Sequence, residues 1–501
     1  MSFIFASTFE EFNEERMVHH TKGNLIQDTF CGVTVCIQSK ESNSCVAKHD
    51  RCLVAILGTI EQCSPQQLLS RYLKEGIDVS GSLFGSFVAL IVHENRIFVI
   101  RDPMGLRTVY YREEEGGRLS ISSDPVALMR SDNLEDNTLQ QMFFHGGHIL
   151  YGTKHWGGIH QLRPGCWMSR YAYHRVQQIP YYQIPKEREK EIGLQRWLYR
   201  KTLIRIVKDT AHVQYLVPQK NIQTLVLLQQ LKKHKRNITL YGLQNDTWVQ
   251  TLGDYFSMPV ELVEVRESMW DTIRSVRWYG GSPAPHPEFL RMYSLSSYLQ
   301  NKDVYIPVEE SFGGSWMQRF LLLLHYFSPN RGEAYIRACM GAGELSQLPK
   351  AKRMRTQINK QMNTLLSFDG QHIIDGAIRT RLQQWGGMVL LPMLRAFFPH
   401  ASFPLFDERL VRISLSMPKT HVVHKGVIQH WYRSSLLKNV DKEIISLCSG
   451  EKMDFTLDEE CRIKARKKLE LAPIHEGLKQ VIQEQNHPNI DRMLWYILQI
   501  S

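Results

Sequence analysis

Cysteine is sparse in this 501-residue chain: nine residues, scattered, odd in number and never spaced as Cys-x-x-Cys. A disulfide framework would be denser and a zinc site would need closer pairs. Cys31 and Cys36 fall on what reads as one strand, so both are expected to be small core residues. Long apolar runs are also missing. The best stretches, "FLLLLHYF" and "MVLLPML", reach roughly half the length that spans a bilayer. The N-terminal "MSFIFASTFEEFNEER" sets a very short apolar run before acids, the reverse of a signal peptide. There is no internal repeat and no low-complexity linker. The expectation is a soluble, cytoplasmic protein with no membrane partner.

The formal net charge is +11. It concentrates in "KKHKR" (232–236) and "RIKARKK" (462–468). Such charge attracts polyanions, but neither cluster interleaves the aromatic residues on which bases stack. Both read as solvated helix faces, and nucleic acid is not an expected partner.

The first part of the chain is β-rich. "CGVTVCIQ", "CLVAILGTI", "GSFVALIVHENRIFVIRD" and "TVYYREEEGGRLSISSD" carry β-branched and aromatic runs. Glu94-Asn95 and Gly116-Gly117 punctuate two hairpins. "SPQQLLSRYLKEGI" reads as a helix with Ser64 as N-cap and Pro65 in its first turn. From about residue 185 the character changes. "KEREKEIGLQRWLYRKTLIRIVKD" predicts a helix with Leu194, Trp197, Leu198 and Ile204 near one face. Strands and helices then alternate: "HVQYLV", "TLVLLQQLKKH", "NITLYGLQ", "WVQTLGDYFS", "VELVEV", "PEFLRMYSLSSYLQ", "DVYIPV". That order predicts a parallel sheet covered by helices. The chain beyond about 330 reads as mostly helical. "YYQIPKEREKE" is the natural boundary, giving domains 1–185 and 186–501.

Several motifs, in order, carry a resemblance. Leu83-Phe84-Gly85-Ser86-Phe87, Arg101-Asp102, Gly105, Tyr110-Tyr111, Ser122-Ser123 and "GGIHQLRPGCW" resemble the glutaminase-type domain of the asparagine synthetase family. "EESFGGSW", "FPLFDERLVRISLSMP" and "GEKMDF" resemble later segments of that family. The resemblance implies an N-terminal-nucleophile (Ntn) type αββα sandwich. It also implies an adenine-nucleotide α-hydrolase-like (PP-loop) α/β domain with a helical extension. Family members hydrolyse glutamine in the first domain and adenylate a carboxylate with ATP and Mg in the second.

The sequence departs from that pattern at its chemical positions. Ser2 stands where the family exposes a nucleophilic Cys, and a hydroxyl is a far poorer nucleophile without a base. The glutamine-gripping segments have no convincing counterpart. The family's Ser-Gly-Gly-x-Asp loop, whose bare N–H groups cradle pyrophosphate, aligns with Pro218, Gln219, Lys220 and, at the Asp position, Ile222. Pro218 has no N–H and Ile222 cannot hold a metal. Lys220 offers one compensating charge. Glu309 and Glu310, before Gly313 and Gly314, remain as candidate Mg ligands or proton carriers, or as a strand-to-helix cap; Glu309 aligns with either of two family carboxylates. Lys452 matches the family lysine that steadies the adenylation step, although Asp454 replaces a usual Gly. His145 and His148 lack a third metal ligand and read as structural.

Three readings follow. The first is an ATP-dependent amide-forming ligase with glutaminase lost, similar in layout to the lasso-peptide cyclases, with Lys452 and Glu309 catalytic and Lys220, Gln219, Glu310, Gly313 and Gly314 at the nucleotide. The second is a pseudoenzyme that binds a precursor peptide or an active synthetase homologue. The third is an asparagine synthetase.

Overall fold

The computed structural model describes residues 3–8, 25–38, 45–114, 117–129, 158–171, 175–182, 192–265, 267–280, 288–299, 301–308, 320, 331, 334, 356, 360, 363, 373–418, 421, 423–424, 427–448, 457–471, 479 and 490–498. The N-terminal part builds two antiparallel sheets. The strands are β1 (Phe3–Ser7), β2 (Leu25–Phe30), β3 (Val33–Gln38), β4 (Val46–His49), β5 (Cys52–Ile60), β6 (Gly85–His93), β7 (Arg96–Arg101), β8 (Tyr110–Glu114), β9 (Arg118–Ser122), β10 (Ile159–Gln161), β11 (Cys166–Tyr171) and β12 (Gln177–Pro180). One sheet runs β10-β8-β9-β1-β3-β2 and the other β12-β11-β7-β6-β5-β4.

Alternation along the strands explains the layering, because successive side chains point to opposite faces. Ile4 and Ala6 of β1, Leu53, Ala55 and Leu57 of β5, and Val88, Leu90 and Val92 of β6 meet between the sheets. The intervening Cys52, Val54 and Ile56, with Phe87, Ala89 and Ile91, face away and pack on Leu68, Leu69 and Tyr72. Those three belong to α1 (Pro65–Glu75). Its start follows from local chemistry: Gln67 N donates to Ser64 Oγ, and Ser64 N donates to Gln67 Oε1, a reciprocal capping box. The other face of the first sheet, with Phe3, Phe5, Tyr110 and Ile159, joins one continuous core with the rest of the chain.

The second part contains a five-stranded parallel sheet, β15-β14-β13-β16-β17, with β13 Tyr215–Leu216, β14 Thr239–Leu243, β15 Val260–Val263, β16 Val304–Tyr305 and β17 Ala401–Ser402. Helices connect its strands: α2 (Ile192–Asp209) leads in, and α3 (Ile222–Lys233), α4 (Thr247–Phe256), α5 (Met269–Gly280) and α6 (Glu288–Leu299) follow. The strand–helix alternation expected from sequence is therefore present. After α7 (Ile373–Thr380), residues Arg381–Leu390 wind as a π-helix into α8 (Leu391–Phe397); α9 (Glu408–Ser416) lies beyond.

The face assigned to α2 is corrected. Trp197 and Leu194 are exposed, at 53% and 44%. The buried stripe is Gln195, Tyr199, Leu203, Ile206 and Val207. Polar residues occupy it because each finds a distant partner: Tyr199 Oη lies 2.6 Å from Tyr432 Oη, and Gln195 Oε1 accepts from Ser416 Oγ at 3.2 Å. Trp197 instead takes Lys201 Nζ over its ring, 5.0 Å from the centroid. No helix among the described residues is long and apolar enough to cross a membrane.

Candidate functional site

Open α/β sheets bind ligands beyond the carboxyl ends of their strands, where the strand order reverses. Here β14 and β15 lie on one side of β13, and β16 and β17 on the other. The reversal therefore falls between β13 and β16, and the 217–221 loop leaves β13 at that point. The opening of α3 after this loop is dictated by Asn221, which sits extended at the N-cap and accepts Thr224 N on Oδ1 at 2.9 Å. Asn is among the best N-caps.

The loop spends its polar groups on itself. Gln219 N donates to Thr224 Oγ1 at 3.0 Å, Thr224 Oγ1 donates to Gln219 O at 2.7 Å, and Asn221 N donates to Gln219 O at 2.7 Å. Asn221 Nδ2 then reaches across the reversal point to Pro307 O at 3.2 Å, just past β16. Pro218 is buried, and Ile222 is 2% exposed within the core. A pyrophosphate needs free N–H groups and a metal-holding carboxylate here. The described residues supply an internally bonded loop and an apolar side chain, so they do not fit ATP–Mg.

The other side of the crevice is filled by α6. Arg291 Nε donates to Asp246 Oδ2 at 3.0 Å, Nη2 lies 2.9 Å from the same oxygen, and Nη1 donates to Glu288 Oε1 at 3.2 Å. Nη1 also donates to Pro218 O at 3.4 Å, and the guanidinium lies over the Trp248 ring at 5.4 Å. Asp246 Oδ2 further accepts Leu243 N at 2.9 Å, closing the end of β14. Burial pushes the Glu288 carboxyl above its ordinary range, while Arg291 and, from the loop, Lys220 pull it down. Gln219 Nε2 points to Met292 Sδ at 3.1 Å on the same helix.

Of the residues expected at the site, the structure places Gln219 and Lys220 on the loop, the former tied inward and the latter exposed. Glu309, Glu310, Gly313, Gly314 and Lys452 lie outside the described residues, as do Ser2, His145 and His148. Among the described residues no group of three His, Cys, Asp or Glu is arranged to hold a metal ion. Asn221, Thr224, Asp246 and Arg291 escaped the sequence reading. Asn221 carried a usable signal, since Asn immediately before an apolar helical run at a strand-to-helix loop is an N-cap pattern.

In the N-terminal part, the Arg-Asp-x-x-Gly motif is a staple. Asp102 Oδ1 accepts Met104 N and Leu106 N at 3.1 and 2.9 Å, and Oδ2 accepts Arg107 N at 2.9 Å. Arg101 is fully buried and donates to four carbonyls: Arg107 O, Leu162 O, Gly105 O and Gly387 O. Gly105, at φ +72, is required because a Cβ would meet Pro164 Cγ at 2.8 Å.

Residues 63–182 match the family described as glutamine amidotransferase domain. No curated protein matches the chain. Among solved structures, a glutamine phosphoribosylpyrophosphate amidotransferase from B. subtilis, complexed with ADP and GMP, is 12% identical over 58% of this chain and 65% of its own, with a TM-score of 0.21. A structure described as the allosteric regulatory enzyme of purine biosynthesis is 12% identical over 60% of this chain and 64% of its own, with a TM-score of 0.20. The chain thus spans under two thirds of either structure, and TM-scores this low place no residues. The family match and the paired antiparallel sheets make the N-terminal part a glutamine amidotransferase-like domain of Ntn type within a mixed α/β protein.

Proposed function

We propose that this chain is an asparagine-synthetase-like pseudoenzyme, a binding partner for a peptide or an active synthetase homologue, in which the nucleotide crevice has become structure. The observation that carries this reading is the Asn221 bridge to Pro307 at the strand reversal, with Arg291 holding the opposite wall. The crevice of an ATP-using relative must be open at that place. Ser2 in place of the expected Cys supports the same reading for the glutaminase half.

The test is ATP–pyrophosphate exchange with candidate carboxylates and precursor peptides, alongside titration calorimetry with ATP–Mg and a glutamate-release assay with glutamine. No exchange, no heat of ATP binding and no glutamate are expected. Each well-placed N–H to a charged phosphate contributes about 1.5–3 kcal/mol, so two or three lost donors weaken ATP by several powers of ten. A second reading, an amide-forming ligase with a rearranged site, draws on the exposure of Lys220 at the crevice, where its charge reaches Glu288. Exchange abolished by Lys220→Ala or Lys452→Ala would establish it and defeat the pseudoenzyme.

A further inference from the structure

Glu408 opens α9 where that helix meets the N-terminal sheets. It is 7% exposed, and neither carboxyl oxygen makes a hydrogen bond of good geometry among the described residues. The Tyr182 hydroxyl, also buried, stands near enough to turn toward Glu408 as a weak hydrogen-bond donor, and burial, then the Glu408 charge, pushes it up. Three further carboxylates face Glu408: Glu61 beyond β5, Asp102 in the turn after β7, and Asp407 beside it. Tyr181, after β12, also feels its charge. Arg412, one turn along α9, supplies the opposing charge, and its guanidinium also covers the Phe84 ring at 6.0 Å. Arg409 is committed elsewhere: it is bidentate to Asp407 at 2.9 and 2.7 Å and 3.7 Å from Glu61.

The place matters because α9 and the neighbouring Arg101–Gly387 contact join the N-terminal sheets to the rest of the chain. We propose that Glu408 is a protonation-controlled latch at this junction: with a neutral carboxyl the Asp102 turn, the end of β12 and α9 stay packed, and with a carboxylate they separate. A carboxylate there would be buried among like charges, a cost that the Tyr182 hydroxyl and the Arg412 charge offset only in part. Burial, with Asp102, Asp407 and Glu61 adding to it, pushes the Glu408 carboxyl up to about 8 against the pull of Arg412. The closed state therefore holds the proton more tightly than the open one. Its advantage is complete below the ordinary value of 4.5 and is lost as pH rises through about 8. The opening constant then rises by about tenfold per pH unit across that window and levels off above it.

The test is hydrogen exchange of the full chain from pH 5.5 to 9, each amide corrected for its intrinsic rate. Peptides covering 102–107 and 386–391 report the junction, and peptides from β5 and β6 serve as internal reference. In the wild type, junction protection should fall by about tenfold per pH unit up to about pH 8 while the reference holds. Glu408→Gln should remove the slope. Arg412→Met, an independent variant, should extend the fall to higher pH. Junction protection that does not change with pH would overturn the latch. So would a slope shared by Glu408→Gln, a loss spread equally to β5 and β6, or an Arg412→Met profile identical to wild type.

Discussion

Arg101 Nη2 donates to the Gly387 carbonyl at 2.6 Å, across 286 positions of sequence. The acceptor is free for a local reason. In the π-helix Leu391 N is already given to Gly386 O. The next residue, Pro392, has no N–H. Gly387 O is left without a helical donor, and the buried guanidinium takes it. The motif that helps carry the family resemblance is thus a joint between two parts of the chain, with Asp102 shaping the turn and Arg101 crossing it.

That joint predicts a steric penalty at Gly387. A Cβ there would meet Pro164 Cγ at 2.5 Å and Met104 O at 3.1 Å. Overpacking of this kind costs about 1–3 kcal/mol. Gly387→Ala should lower the denaturant midpoint by that amount. Gly81→Ala, where a Cβ meets nothing within 4 Å, is the control and should leave the midpoint nearly unchanged. Equal midpoints for the two variants would show that the contact can relax.

The crevice loop predicts that restoring a metal-holding carboxylate is costly. Ile222 is 2% exposed and packs in the main core. Ile222→Asp removes a buried side chain and inserts a charge, so a loss of at least roughly 3 kcal/mol is expected. Asn221→Ala should cost about 1 kcal/mol for the cap alone and expose the loop to exchange. Chemical denaturation measures both. An Ile222→Asp protein as stable as wild type would mean that the loop can open toward solvent, and would favour the ligase.

How much of this was legible depends on how far each residue's partner lies. The α1 cap and the β6–β7 and β8–β9 hairpins were readable because their chemistry is local: Ser64 and Gln67 are three residues apart. The apolar runs of β5 and β6 marked them as buried strands, but not which side meets the second sheet, because both faces are covered. The buried face of α2 was misread because Tyr199 and Gln195 are buried only by virtue of Tyr432 and Ser416, more than two hundred positions away. Arg291 was invisible for the same reason. A lone Arg on a helix reads as solvated until Asp246 and Pro218 O are brought beneath it.

A second pH effect, of opposite sign to that of Glu408, is expected from His421. Its ring is buried at 3% exposure, and Nε2 accepts from Arg196 Nε at 2.9 Å. That bond requires the neutral imidazole with its proton on Nδ1. Burial, then the charges of Arg196 and His430, lowers His421 from 6.5 to about 4. The folded state thus binds the proton less well than the unfolded chain. The contribution is fully present above pH 6.5 and is lost as pH falls through about 4, amounting to roughly 2–4 kcal/mol. His421→Gln keeps an acceptor for Arg196 and should flatten the loss of melting temperature between pH 6.5 and 4. A variant that tracks the wild type through that window would assign the acid sensitivity to other groups.

The N-terminal sheets should be indispensable to the rest of the chain whether or not they carry chemistry. Phe3, Phe5, Tyr110 and Ile159 belong to the same continuous core as the helices and strands of the parallel-sheet region. Burying a side chain of this size contributes about 1.5–3 kcal/mol, so four of them outweigh much of the 5–15 kcal/mol by which a folded chain is typically stable. Deleting residues 1–185 would also leave Gly387 O without its Arg101 donor and present a contiguous apolar face to water. The truncated protein should aggregate or bind a hydrophobic dye strongly, as judged by size-exclusion chromatography and dye fluorescence. A monomer that melts cooperatively would show that the parallel-sheet region closes its own core, and that the N-terminal sheets are retained for what they bind.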